Sequence, residues 1–214
     1  WDWEHQTALA KHELEYKTVK DKSIFVKIKV KGARKSGISG TTESGNEFLI
    51  IWTTTPWTIA FNLGIMVHPE FDYVKCKVGS EYWIVAKALA NTFISSVVGK
   101  KFDIVEEFKG RKLEGLEYVH PFYDELREHY DKIKKEHPKT HTVVLSTEYV
   151  ETSSGTGLVH MAPGCGPEDY EVGHRNNIPA WNLVKENGIY SDEMGIFAGR
   201  HAIKDNQSFT KDLE

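Results

Sequence analysis

Two short stretches of this 214-residue chain concentrate groups that can do chemistry. Thr53, Thr54 and Thr55 precede Pro56, Trp57 and Thr58, so four hydroxyls crowd around one proline. Further on, Gly155-Thr156-Gly157-Leu158-Val159-His160 leads to Gly164-Cys165-Gly166-Pro167-Glu168-Asp169-Tyr170. Hydroxyls hold a water or a ribose through hydrogen bonds, and a carboxylate holds an ammonium ion. If the two stretches meet in space, they make a binding chemistry for an amino acid carried on a nucleotide.

Each stretch also has a plainer reading. Threonines suit a strand, and Pro56 ends one while fixing the exit angle of the chain. Strand alternation would send two of the three consecutive hydroxyls to one face and one to the other. His160 could be a base, a ligand or a bulky wall. No second His or Cys stands at metal spacing on its element, so no metal is expected. Glu168 and Asp169 behind Pro167 suit a helix start, where acids complement the dipole. Adjacent carboxylates at a helix start rarely converge on one site, which argues against a paired acid/base device. Cys165 near that start, with His160 and Asp169 close in sequence, leaves a thiol hydrolase open as an alternative. Its spacing matches no nucleophile signature.

The elements that must position these groups follow from periodicity. Residues 23–30 alternate Ile24, Val26, Ile28 and Val30 against lysines, the pattern of a half-buried strand. Strands are also expected at 48–54, 63–67, 102–106, 141–147 and 157–161. A hairpin of 73–78 and 82–86 is expected to turn at Gly79-Ser80. Helices are expected at 7–15, at 88–98 with Gly99 as its cap, at 123–136 before Pro138, at 167–175 and at 202–213. Residues 32–46, rich in Gly, Ser and Thr, read as a loop, and 109–117 as a charged turn. Many short strands with scattered helices predict an α+β fold on a curved, β-barrel-like mixed sheet with surrounding helices.

Composition narrows the function. A hydrophobic share of 40% and a charged share of 27% are those of a soluble protein. No apolar run reaches the ~18 residues of a membrane helix, and residues 1–5 do not form a signal peptide. Cys76 and Cys165 form no disulfide framework, so a reduced, cytoplasmic setting is the default. A net charge of −4 does not suit a protein that grips nucleic acid by itself. The basic runs at 109–112 and 132–135 read first as solvated faces. The missing initiator Met marks the chain as an expected fragment of something longer.

At these residues the chain resembles the editing domain of isoleucyl-tRNA synthetase, the CP1 insertion. The resemblance is carried by Trp52-Thr53-Thr54-Thr55-Pro56-Trp57-Thr58-Ile59, by Asn62 and by Val67-His68-Pro69. It continues through Gly155-Thr156-Gly157, Val159-His160, Ala162-Pro163-Gly164, Gly166-Pro167, Asp169-Tyr170 and Val172-Gly173. Thr7-Ala8-Leu9-Ala10 resembles the entry to that domain. The valyl and leucyl relatives carry Arg-Pro-Glu or Arg-Pro-Asp where this chain has Thr55-Pro56-Trp57, which favours the isoleucyl member.

The resemblance implies one editing domain over residues 1–214, with the editing-domain fold of the class I valyl, leucyl and isoleucyl synthetases. It implies hydrolysis of valine from mischarged tRNA(Ile), and of valyl-adenylate, with water as nucleophile. One methylene in an apolar pocket gives only about 1–3 kcal/mol of discrimination, so a second pocket must hydrolyse what the first admits; this enzyme class is the standard example. Asp169, Thr54 and Thr55 are the implied catalytic residues, with Asp169 on the α-ammonium. His160, Trp57, Thr58, Thr53 and Asn62 are the implied substrate-binding residues, His160 helping to exclude isoleucine. The implied partners are the 3′ acceptor end of tRNA(Ile) carrying valine and the remainder of the synthetase, with no membrane. No cofactor is expected in this domain. Two departures stand out: Cys165 replaces a second histidine of the glycine turn, and no zinc knuckle precedes the entry segment. The adenylate-forming signatures are absent as well. A non-catalytic module docking the tRNA acceptor end is the rival from another class.

Overall fold

The computed structural model of the protein describes residues 1–15, 17–18, 22–32 and 46–213. Most of the loop expected at 32–46 therefore lies outside the described residues. Strand β1 (Ile24–Val30) buries Val26, Ile28 and Val30 and exposes Lys27 and Lys29, as its alternation requires. It pairs antiparallel with β2 (Glu47–Thr53), Ile28 opposite Leu49 and Ile24 opposite Thr53. β2 is buried on both faces: Leu49 and Ile51 enter the main core, while Ile50 enters a second one with Val74, Val85 and Phe93.

The other edge of β2 forks. Its first half runs parallel to β5 (Glu81–Ala86), and Trp52 pairs in parallel with Val159 of β9 (Val159–Met161). From β5 the sheet continues antiparallel through β4 (Asp72–Val78) to β6 (Asp103–Lys109), a three-stranded flap. From β9 it continues to β3 (Gly64–Val67) and then β8 (Thr142–Leu145). The ring closes beyond β8: Val143 N–H donates to the Leu116 carbonyl at 2.9 Å and Tyr118 N–H to the His141 carbonyl at 3.1 Å. β7 (Tyr118–Val119) then pairs with β1. The sheet is thus a mixed, curled barrel with a flap, as the strand spacing predicts.

Helices lie against the outside. α1 (Lys87–Ala90) runs into a π-helical turn, Asn91–Val97, that packs Phe93 and Ile94 on the flap. α2 (Arg127–Glu136) sends Tyr130 inward, α3 (Pro167–Arg175) covers Leu63, Met66 and Met161 through Val172, and α4 (Asn206–Asp212) inserts Phe209.

The structure corrects four expected helices. Residues 7–15 hold only a 3-10 turn, Lys11–Glu13, because Ala8, Leu9 and Ala10 are exposed and, among the described residues, no core faces them. The helix expected at 88–98 is one α turn followed by the wider π turn. The helix expected at 123–136 starts at Arg127, since the His120 imidazole accepts the Phe122 N–H at 3.0 Å and holds the preceding residues in turns. The last helix shrinks from 202–213 to Asn206–Asp212, because Asp205 caps the His201 N–H in a turn before it.

Candidate active site

The fork in β2 creates the site. Between the part of β2 in register with β5 and the part in register with β9 lies the Ile50 carbonyl. The Thr156 hydroxyl donates to it at 2.6 Å, and the Ala86 N–H donates to the Thr156 carbonyl at 2.8 Å. The glycine turn thereby plugs the fork. Gly157 sits at φ +75°, and a Cβ there would lie 2.3 Å from Ala86 Cβ, so only glycine fits. The Tyr73 hydroxyl locks this turn by donating to the Gly157 carbonyl at 2.7 Å.

Above the fork opens a cleft of about 420 Å³, a size suited to a small ligand. Both sequence stretches line it: Thr53, Thr54, Thr55, Trp57 and Thr58 from one, Thr156, His160, Cys165 and Asp169 from the other. They do meet in space. The lining also takes Tyr149, Glu151, Ser153 and Ser154, which no spacing in the sequence singled out.

The threonines are organised by the 3-10 turn Pro56–Phe61 that follows β2. Pro56 opens it, and the Thr58 N–H donates back to the Thr55 carbonyl at 2.9 Å. Thr55 N–H donates to Thr53 Oγ1 at 3.0 Å, and the Thr53 and Thr55 hydroxyls lie 3.2 Å apart. Thr55 and Thr58 hydroxyls are 3.3 Å apart. Thr53 and Thr58 are buried; Thr54 and Thr55 are exposed to the cleft.

His160 stands on β9, opposite Ile65 of β3, with both ring nitrogens engaged. Thr58 Oγ1 lies 2.9 Å from Nε2, and Asn62 Nδ2 lies 2.7 Å from Nδ1. Burial lowers its pKa to about 4, so the ring is neutral near neutral pH. A neutral ring with no free nitrogen is a wall rather than a base. Asn62, fully buried, donates also to the Gly64 carbonyl at 2.8 Å and accepts from the Tyr118 hydroxyl. Tyr118 reaches this point from β7 across the barrel interior.

Asp169 sits in the first turn of α3, half-buried, with Oδ2 accepting the Ala162 N–H at 3.0 Å. Among the described residues no cationic nitrogen pairs with it. Burial raises its pKa above the ordinary carboxylate value, against the lowering effect of that hydrogen bond. A ligand ammonium would supply the missing charge. Glu168 is exposed and does not line the cleft. Cys165 is half-buried with its thiol pushed up to about 12, by burial first and by Asp169 second. A thiol so protonated is a poor nucleophile.

Among the described residues no group of three or more His, Cys, Asp or Glu side chains could hold a metal ion, and no helix is long and apolar enough to cross a membrane. Within the basic runs, Lys109 pairs with Asp72 at 2.7 Å, Arg111 with Glu70 and Lys134 with Glu117 at 3.4 Å.

Comparison with known proteins decides the family. The chain is 45% identical over 193 residues to the isoleucine–tRNA ligase of Pyrococcus abyssi, covering 87% of this chain and 17% of that protein. Against the isoleucine–tRNA ligase of Petrotoga mobilis it is 38% identical over 214 residues, covering 100% of this chain and 20% of the relative. This chain is a homologue of the isoleucine–tRNA ligases. It spans about a fifth of the length of these curated relatives. Its fold matches the crystal structure of GlLeuRS-CP1, the CP1 domain of a leucyl-tRNA synthetase, with a TM-score of 0.63 at 16% identity, over 90% of this chain and 95% of that one. At that identity the match shows the fold alone, a class I synthetase CP1 editing-domain fold. No protein-family model matches the chain.

Within this editing-domain fold, Trp57 is half-buried, its carbonyl accepting the Tyr190 hydroxyl. It borders both the cleft and a neighbouring groove of about 350 Å³ shared with Trp1, Trp3 and Lys185. Tyr118 was invisible to motif reading: β7 has only two residues, too few for a periodic signal.

Proposed function

We propose that this chain is the proofreading part of an isoleucyl-tRNA synthetase and that its cleft hydrolyses the ester joining valine to tRNA(Ile). Homology to isoleucine–tRNA ligases supports a proofreading role at the coarse level. The observation that carries the finer reading is the pairing of one uncompensated carboxylate, Asp169, with a row of hydroxyls in one cleft.

In this reading the valine ammonium sits on Asp169. Thr54 and Thr55 orient the attacking water, with Thr53 and Thr58 holding Thr55 in place. Water adds to the ester carbonyl carbon, the bond from that carbon to the ribose oxygen breaks, and a water proton ends on the ribose. Orientation is the main lever, since none of these hydroxyls is a base near neutral pH. His160, held from behind by the buried Asn62, walls the pocket that receives the side chain, and Trp57 borders the nucleoside. The same anchor and hydroxyls suit valyl-adenylate, which presents an ammonium beside an activated carbonyl.

The partners in this reading are the 3′ acceptor end of tRNA(Ile) and the rest of the synthetase, in the cytoplasm. With a net charge of −4 and Lys109, Arg111 and Lys134 already paired, phosphate contacts fall to the parent enzyme. The protonated Cys165 argues against a thiol hydrolase.

The test is calorimetric binding of a non-hydrolysable valyl-amide of amino-adenosine and of its analogue lacking the α-amine. Saturable binding of the first, lost in the second and in Asp169→Asn, is expected. Equal binding of both by the unaltered chain would overturn the ammonium anchor.

A further inference from the structure

The hydrogen bonds behind the cleft have a direction, and that direction starts in the barrel core. The Gly64 carbonyl can only accept, so the nitrogen of the Asn62 amide must face it at 2.8 Å. The same nitrogen then faces His160 Nδ1 at 2.7 Å, which makes Nδ1 an acceptor and places the ring proton on Nε2. Nε2–H donates to Thr58 Oγ1 at 2.9 Å, and the Thr58 hydroxyl proton goes on to the Thr55 carbonyl at 2.8 Å. With its one proton on the Thr55 carbonyl, Thr58 Oγ1 can only accept from the Thr55 hydroxyl 3.3 Å away, and the other acceptor within reach of that hydroxyl, Thr53 Oγ1 at 3.2 Å, belongs to a buried residue as well. Thr55 therefore turns its proton inward and its free lone-pair density toward the cleft.

What remains of the amide is Asn62 Oδ1, in a residue with no solvent exposure. Among the described residues its donor is the Tyr118 hydroxyl. Tyr118 is itself buried in the main core, paired through its backbone with Val30 of β1. Its phenol is held protonated by burial and is thus a donor throughout the neutral range.

We infer that Tyr118 is a positioning residue for the site: by donating to Asn62 Oδ1 it holds the amide in one orientation, and so fixes the Nε2–H tautomer of His160 and the acceptor face that Thr55 presents. This deepens the hydrolase reading and rests on it for its catalytic consequence. In that reading Thr55 accepts a hydrogen bond from the attacking water, leaving the water lone pair free for the carbonyl carbon. Removing the phenol oxygen orphans Oδ1, and a half-turn of the amide is then opposed by the Gly64 carbonyl alone. In the turned orientation His160 must carry its proton on Nδ1, and the hydroxyl chain reverses.

The test is the ring ¹⁵N spectrum of His160 in chain labelled at histidine, its signals identified among the ten histidines by their loss in His160→Gln. The unaltered chain is expected to show the Nε2–H pattern alone. Tyr118→Phe, which keeps the ring in the core, is expected to bring in the Nδ1–H pattern. Asn62→Asp, whose carboxylate cannot donate to Nδ1, should show Nδ1–H as well. Retention of pure Nε2–H in Tyr118→Phe, or Nδ1–H in the unaltered chain, would overturn the inference. Hydrolysis of valyl-tRNA by Tyr118→Phe should fall about tenfold in kcat with KM little changed, the effect of one lost orienting hydrogen bond. Full activity alongside a switched tautomer would overturn the catalytic part. If the unaltered chain hydrolyses no ester, the hydrolase reading fails, while the spectra still decide whether Tyr118 sets the tautomer.

Discussion

At one part of the cleft, Thr58 and His160 of the lining and Asn62, which lies fully buried behind them and does not itself line the cleft, exchange hydrogen bonds with one another and with Tyr118, Gly64 and the Thr55 carbonyl. In the other, Asp169 has one carboxylate oxygen on the Ala162 N–H and, among the described residues, no cation. The first set is complete without a ligand, so its shape and polarity exist before binding. The second set has, among the described residues, no counter-charge, and in the proposed reading the ligand brings it. In the proposed function the first set would select by shape and the second capture by charge.

The largest expected effect separates the two sets by acid. His120, His141 and His160 are all kept neutral by burial, His141 and His160 with pKa values of about 4 and His120 held well below its ordinary value. Their folded pKa values lie below the unfolded value of 6.5, so the unfolded chain takes up the protons first. Stability is complete above 6.5 and falls toward 4, by about 1.4 kcal/mol per pH unit for each histidine. Denaturant melts across this range should show it, and a flat stability would show that the wall is not buried as described. Asp169 behaves differently: its raised pKa makes ammonium binding fade as pH drops, from a higher pH than an ordinary carboxylate would give.

Next in size is His160→Ala. It removes a buried ring and orphans Asn62 and Thr58, which should cost about 3 kcal/mol in stability. The room it leaves should admit isoleucine, so isoleucyl-tRNA becomes a substrate. Unchanged discrimination in a folded variant would take His160 out of the pocket wall. Asp169→Asn keeps the shape and removes the charge; kcat/KM for valyl-tRNA should fall about a hundredfold, the loss of one charge-assisted contact. Thr55→Val, which removes a single hydroxyl from the preformed row, should cost about tenfold in kcat. Cys165→Ser should change hydrolysis by less than about twofold, since the protonated thiol lines the cleft as neither nucleophile nor anchor. A complete loss would return the thiol to the mechanism.

Local pattern announced much of this arrangement. β1 follows its alternation from Val26 to Val30, where one face meets the core and the other meets water, while Phe25 on the lysine face packs against Phe93 of the second core. Pro56 and the four threonines signalled a held turn, and the glycines around Thr156 signalled a close approach, realised at Gly157 against Ala86. What escaped depends on long-range partners. Residues 7–15 carry a helical pattern but, among the described residues, meet no surface on which to bury it. Tyr118 matters through Asn62, 56 positions away, and nothing local to either marks the pair. Thr156 could be read as a turn residue but not as the plug of a forked strand, since the fork exists only once β2, β5 and β9 have assembled.

The most direct test is the release of amino acid from valyl-tRNA(Ile) and isoleucyl-tRNA(Ile) by this chain, beside Asp169→Asn. The account predicts selective release of valine that nearly vanishes in the variant. Equal release from both esters, or undiminished release by Asp169→Asn, would contradict it.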